Sequence, residues 1–142
     1  MRPGQKGFTL IELLVILGIV SFVIMVGIPA FTSMTARWEA SAGVRTVTAA
    51  LYTARYNAVK MNRSVKFCIE DNRILLKEKI ENAWESFWPF EVEESVRLSI
   101  NASPVFSPTG YASPLCSIYV ETDRYRYKIT LSIAGRIQVT KL

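Results

Sequence analysis

Glu12 is the one charged side chain between Phe8 and Phe31, a run of 24 residues made mostly of Leu, Ile, Val, Phe and Met. A carboxylate inside a membrane-length apolar run is costly, and such a group is by default functional and paired. Near a helix start the helix dipole relieves an acid by a few tenths to ~1 kcal/mol. That accounts for its tolerance, not for its presence. By spacing, the best partner is an α-amine at Phe8, which exists only if the chain is cut between Gly7 and Phe8. The pair could close within one chain or between helices packed side by side. In low dielectric it would also fix axial register, because misaligned helices leave both charges bare. The chemistry is ion pairing, not bond making.

The remaining reactive residues add little. The chain has no histidine and two cysteines, Cys68 and Cys116. Outside the cytoplasm two cysteines can form one disulfide, which is the expectation here. The alternative is two buried thiols. A zinc site wants four closely spaced ligands, so no metal is expected. Ser132 and Tyr125 could be invoked as nucleophiles, but nothing singles them out. No Gly-x-x-x-x-Gly-Lys-Ser/Thr loop is present. The reading is therefore not an enzyme, with no cofactor and no small-molecule substrate. Arg124, Arg126, Lys128, Arg136 and Lys141 could form a basic patch, yet residues 67–142 carry a net charge of −1. DNA affinity comes largely from phosphate neutralisation.

These residues must be positioned by a chain of 142 residues, enough for one domain and a membrane segment. About 20 apolar residues span a bilayer as a helix, so the first run can cross. The rest is too small to bury it as a core helix. As a cleaved secretory signal it is too long, and no small-x-small site follows cleanly. Arg2 and Lys6 favour a cytoplasmic N-terminus, with the remainder outside the inner membrane. Arg37 and Arg45, beyond the span, weigh against that orientation. Pro29 should kink or loosen the helix. Beyond it Val44, Val47, Leu51, Ala54, Ala58 and Met61 step by three or four, an amphipathic stripe that Tyr52, Tyr56 and Val59 are expected to widen. Asn62 is a plausible helix end.

From Ser64 the period becomes two. Val65, Phe67 and Ile69 share one face, and Asp71-Asn72 predicts a hairpin into "RILLKEKI". "SVRLSI", "LCSIYVE", "YRYKITL" and "RIQVTKL" read as further strands, with a hairpin at Thr122-Asp123-Arg124. Residues 101–114 read as a loop. "WESFWPF" is ambiguous between strand and loop. Its Trp84, Phe87, Trp88 and Phe90 are either packing or, if exposed together, a partner surface. "EVEES" is an acidic cluster, either solvated surface or a subunit contact. The fold class is α+β: a long N-terminal helix, membrane-spanning then amphipathic, packed on an antiparallel β-sandwich-like head of six or seven strands. The expected divisions are 1–7 leader, 8–31 membrane and assembly helix, 32–63 stalk helix and 64–142 head.

The stretch from Gly7 to Leu14, GFTLIELL, after a short basic leader and before the apolar run, resembles the type IV pilin class III signal. The resemblance implies cleavage by prepilin peptidase after Gly7 and N-methylation of Phe8. It implies that Glu12 pairs with a neighbouring subunit's N-terminus during assembly, and that the helix bends at Pro29. "ALYTARYNAVKMNRSVKFC", "VFSPTGYAS", "LCSIYV" and "LSIAGRIQV" resemble the GspH/FimT-like minor pseudopilins. That likeness implies a minor structural subunit of a type II secretion pseudopilus or type IV pilus. It would first sit single-pass in the bacterial inner membrane with a periplasmic head, then enter the filament. The implied partners are other pilin or pseudopilin subunits, the peptidase and the inner-membrane assembly platform. The alternative is a DNA-binding minor pilin acting in DNA uptake. Gln138 stands where such members tend to carry a second Arg after the one matched by Arg136.

Overall fold

The computed structural model describes residues 9–142, apart from the side chains of residues 29, 30 and 33. The chain divides into two compact units between Thr35 and Ala36. One helix, α1 (Leu10–Met61), contributes to both. Nine strands follow among the described residues: β1 (Val65–Glu70), β2 (Arg73–Ile80), β3 (Ala83–Phe90), β4 (Arg97–Ile100), β5 (Val105–Phe106), β6 (Ala112–Ser113), β7 (Cys116–Glu121), β8 (Arg126–Leu131) and β9 (Ile137–Lys141). The architecture is α+β, as the periodicities predict.

α1 ends as its sequence dictates. Asn62 adopts φ 51°, a left-handed conformation that Asn tolerates better than most residues. The Arg63 amide then reaches back to the Ala58 carbonyl at 3.2 Å, closing a Schellman-type cap.

In the second unit α1 packs through small residues. Ala40, Ala50, Ala54 and Ala58 are fully buried, with Val47 and Leu51 between them. A Cβ on Gly43 would come within 2.9 Å of Val96 Cγ1 and 3.0 Å of Val120 Cγ1, so the backbone lies directly on the sheet side chains there. The expected widening of the stripe is corrected. Tyr52, Tyr56 and Val59 are exposed. They lie on the far side of the helix, and alanines and a glycine widen the buried face instead.

The strands form two antiparallel sheets, ordered β3-β2-β1-β5-β6 and β4-β7-β8-β9. Phe67, Leu76, Ile74 and Phe106 from the first sheet share one core with Ile118, Val120, Ile129 and Leu131 from the second and with α1. Each such side chain contributes about 1.5–3 kcal/mol on burial.

The β1–β2 hairpin turns at Asp71 (φ 51°) and Asn72 (φ 60°). Two consecutive positive values match the type I′ turn that strand twist favours. The Asn72 side chain also joins the sheets. Its amide donates to the Val96 carbonyl at 2.7 Å, and its oxygen accepts from the Leu98 amide at 2.9 Å.

Two readings are amended. "WESFWPF" is part of β3, a sheet edge whose ladder admits Pro89. The supposed loop at 101–114 contains the two-residue strands β5 and β6, too short to show a period.

Candidate functional site

The first turn of α1 is built around Thr9 and Glu12. The Glu12 amide lies 3.1 Å from the Thr9 carbonyl and 3.3 Å from Thr9 Oγ1. Thr9 thus caps the helix, and Glu12 stands at the third helical position, where an acid meets the positive end of the dipole. Thr-x-x-Glu before an apolar run is a capping-box pattern, a local signal carried by two residues of the sequence.

From Leu10 to Ile28 the helix has a mean hydropathy of 2.8, and none of it is buried. Leu10 and Met25 are more than three-quarters exposed. A helix this apolar and this bare can cross a bilayer or pack against other helices, and Glu12 is the single charge it carries into either setting. Gly7 and Phe8, the expected cleavage and methylation positions, lie outside the described residues, as does the side chain of Pro29.

The cysteines are not joined. Cys68 and Cys116 are both buried free thiols, which corrects the expected disulfide. Cys116 belongs to the shared core, whereas alternation along β1 turns Cys68 to the opposite face of the first sheet from Phe67. Burial pushes the Cys116 thiol up from its ordinary 9.0 to about 11.

The basic residues do not form one patch. Arg126 opens β8 and pairs with Glu121 at 2.6 Å. Lys128 projects from the same face two residues on. Lys141, on β9, lies with its Nζ 5.1 Å from the Tyr125 ring centroid. Arg124 is exposed in the β7–β8 connection. Arg136 follows the other end of β8, about 20 Å of strand away.

The tryptophans do not form one surface either. The β2–β3 ladder slips between Leu76 and Lys77, so Trp88 faces with Leu76 and Trp84 with Lys79. This bulge puts the two on opposite faces of the sheet. Trp84 receives Lys66, 5.8 Å from its centroid, and Trp88 meets Phe90 at 6.5 Å.

One organising residue carries no short-range sequence signal. Arg55 leaves α1 to lie against two glycine turns. Its Nη1 donates to the Gly135 carbonyl at 3.4 Å, and its Nε would stand 3.3 Å from a Cβ on Gly110.

Among the described residues no cluster of His, Cys, Asp and Glu is arranged to hold a metal. A bare apolar helix start bearing one acid thus runs on into a stretch that packs on two small antiparallel sheets.

Residues 2–28 match the prokaryotic N-terminal methylation motif. The fold is similar to that of the minor pseudopilin EpsH from the type 2 secretion system of Vibrio cholerae. The TM-score is 0.62 at 10% identity, over 72% of this chain and 97% of that one. It is equally similar to the type IV minor pilin FimU of Pseudomonas aeruginosa, with a TM-score of 0.63 at 15% identity over 75% and 92% of the two chains. No curated protein matches the chain in sequence.

Proposed function

We propose that this chain is a minor structural subunit of a type II secretion pseudopilus or a type IV pilus. It enters the inner membrane with its N-terminus cytoplasmic and its head periplasmic. Prepilin peptidase removes residues 1–7, and Phe8 becomes the methylated N-terminus. The assembly platform then moves the subunit into the filament, where Glu12 pairs with the N-terminal amine of a neighbouring subunit and the helix bends at Pro29.

The observation that carries this reading is the wholly exposed apolar helix from Leu10 to Ile28 with Glu12 in its first turn. Such a surface has no use in an isolated soluble domain, and a lone carboxylate on it needs a cationic partner. The scatter of the basic residues favours the structural role over DNA uptake.

The test is Glu12→Gln in the full chain, expressed in cells that make the filament. Glutamine keeps the shape and removes the charge. Leader removal should proceed as in the native chain, while the amount recovered in sheared filaments should fall by about tenfold or more, the scale of one desolvated ion pair. Normal incorporation would sink the role given to Glu12.

A further inference from the structure

At one end of the second unit the exposed surface is apolar and aromatic, with a basic rim. Tyr56 and Val59 on α1, Tyr111 and Leu115 on either side of β6, and Ile133 after β8 are each more than half exposed. They gather around Arg55. A Cβ on Gly110, beside Tyr111, would stand 3.3 Å from Arg55 Nε and 3.5 Å from Val59 Cγ2. The Ala112 amide donates to the Ile133 carbonyl at 2.8 Å, and Cys116 pairs with Leu131, so the chain around Tyr111 and Leu115 adjoins the turn at Ile133. The segments that build this face, residues 52–63, 107–115 and 132–136, carry Arg55, Lys60, Arg63 and Arg136 and no acid. Of these four bases only Arg63 is in an ion pair among the described residues, with Glu78 of β2.

Residues 90–96 carry the opposite sign, with Glu91, Glu93 and Glu94 and no base. All three acids stand exposed in the β3–β4 connection, and none is in an ion pair among the described residues. Arg73 borders Glu91 and Glu94 in a hollow, and Arg37 and Arg45 border Glu93 along a groove on α1, without closing on them. This connection lies at the other end of the unit. Val96, just after it, sits against Gly43 of α1, whereas Gly110 and the apolar face sit against Val59. From Gly43 to Val59 the helix rises about 24 Å.

We infer that the Glu91–Glu94 connection of one copy docks on the face around Val59, Tyr111 and Ile133 of a second copy, where Lys60 and Arg136 meet its carboxylates. A contiguous exposed apolar patch marks an interaction surface. Complementary charge then selects and orients what lands on it. The unpaired bases of this face and the unpaired acids of the connection supply that complement within one sequence. Because the two surfaces lie at opposite ends of the unit, one chain cannot join them to each other. The contact is therefore heterologous, and every added copy leaves one face and one connection free. Such a contact builds a ring or an open row and never a two-fold dimer. The inference deepens the subunit role proposed above, on which it rests for its use, by naming a contact between heads. Its structural grounds lie wholly in the second unit.

The test uses residues 36–142, which hold the whole buried core found among the described residues. Sedimentation velocity should show species that grow past the dimer as concentration rises and that shrink in high salt, because the paired charges are exposed. Lys60→Gln with Arg136→Gln, and separately Glu91→Gln with Glu94→Gln, should each weaken association by about fivefold or more, the scale of two exposed ion pairs. Mixed in equal amounts, the two variants should form a one-to-one complex that grows no further. One brings a native acidic connection and the other a native basic face, so a single native contact can form. All four side chains are exposed, so circular dichroism and the urea midpoint of each variant should match the native chain. A chain that stays monomeric up to about 1 mM, a closed two-fold dimer, association that the glutamine variants leave unchanged, or a mixture that forms no complex overturns the inference. A monomeric chain whose Lys60 and Arg136 bind polyglutamate instead also overturns it, and gives the face to a foreign acidic partner. Each of these outcomes leaves the subunit reading in place, since Glu12→Gln tests that reading in the first unit.

Discussion

Arg55 and Gly135 hold the second sheet's last turn against α1. Arg55 Nη1 donates to the Gly135 carbonyl at 3.4 Å, and a Cβ on Gly135 would stand 2.9 Å from that same nitrogen. Gly135 also sits at φ +75°, where an L side chain is strained by about 1–2 kcal/mol. Gly135→Ala should therefore destabilise residues 36–142 by about 1–3 kcal/mol in urea unfolding, since the strain adds to displacement of the guanidinium. All of the buried core lies in that part of the chain. Arg55→Ala combined with Gly135→Ala should recover only the displacement. Full recovery would show that the backbone conformation costs nothing.

Asn72 is the corresponding tie between the sheets. Its side chain makes two hydrogen bonds to β4 and its neighbourhood, and it occupies a positive φ. Asn72→Ala loses both bonds and leaves the Leu98 amide without that partner. The expected cost is about 2–4 kcal/mol, combining two hydrogen bonds with left-handed strain. Asn72→Gly removes the bonds but relieves the strain, so it should cost less. If the two variants prove equally stable, the hydrogen bonds account for the whole effect.

Some of this was legible in the sequence and some was not, for physical reasons. The apolar run and Glu12 were plain, because membrane-length hydrophobicity is a local property. The Asp71-Asn72 hairpin was equally plain, since turn chemistry resides in two adjacent residues. Tyr52, Tyr56 and Val59 misled because helical spacing gives a stripe without saying which side meets the sheets. Gly43 and the alanines decide that, through closeness of approach rather than hydrophobicity. Trp84 and Trp88 looked like one cluster because a bulge leaves no period to read. Arg55 and Glu93 were illegible because their contacts lie far off in sequence, at Gly135 and along the groove by Arg37. Thr9 is legible as a cap from the Thr-x-x-Glu pattern it opens.

DNA binding is expected to be weak. Arg126 is already neutralised by Glu121, and Arg136 stands at the far end of β8 from Arg124. Titrating residues 36–142 with duplex DNA across a salt series should give no binding with a log–log slope steeper than about −1, since steepness counts phosphates neutralised. A slope of about −3 or steeper, lost on Arg136→Ala and Lys141→Ala, would move the chain to the DNA-uptake class.

Alkaline sensitivity should trace to Cys116. Burial raises its thiol from 9.0 to about 11, so the folded state holds the proton more tightly than the unfolded chain does. Between those values the unfolded state binds fewer protons, and stability falls as pH rises. The contribution is complete below about pH 9 and is lost as pH climbs through 11, amounting to at most about 2–3 kcal/mol. Cys116→Ala should be less stable at neutral pH because it leaves a small void in the core. Its stability should nevertheless decline less between pH 9 and 11 than that of the native chain. Urea unfolding at a series of pH values measures both slopes. Equal slopes would mean that burial does not raise the Cys116 thiol above its unfolded value.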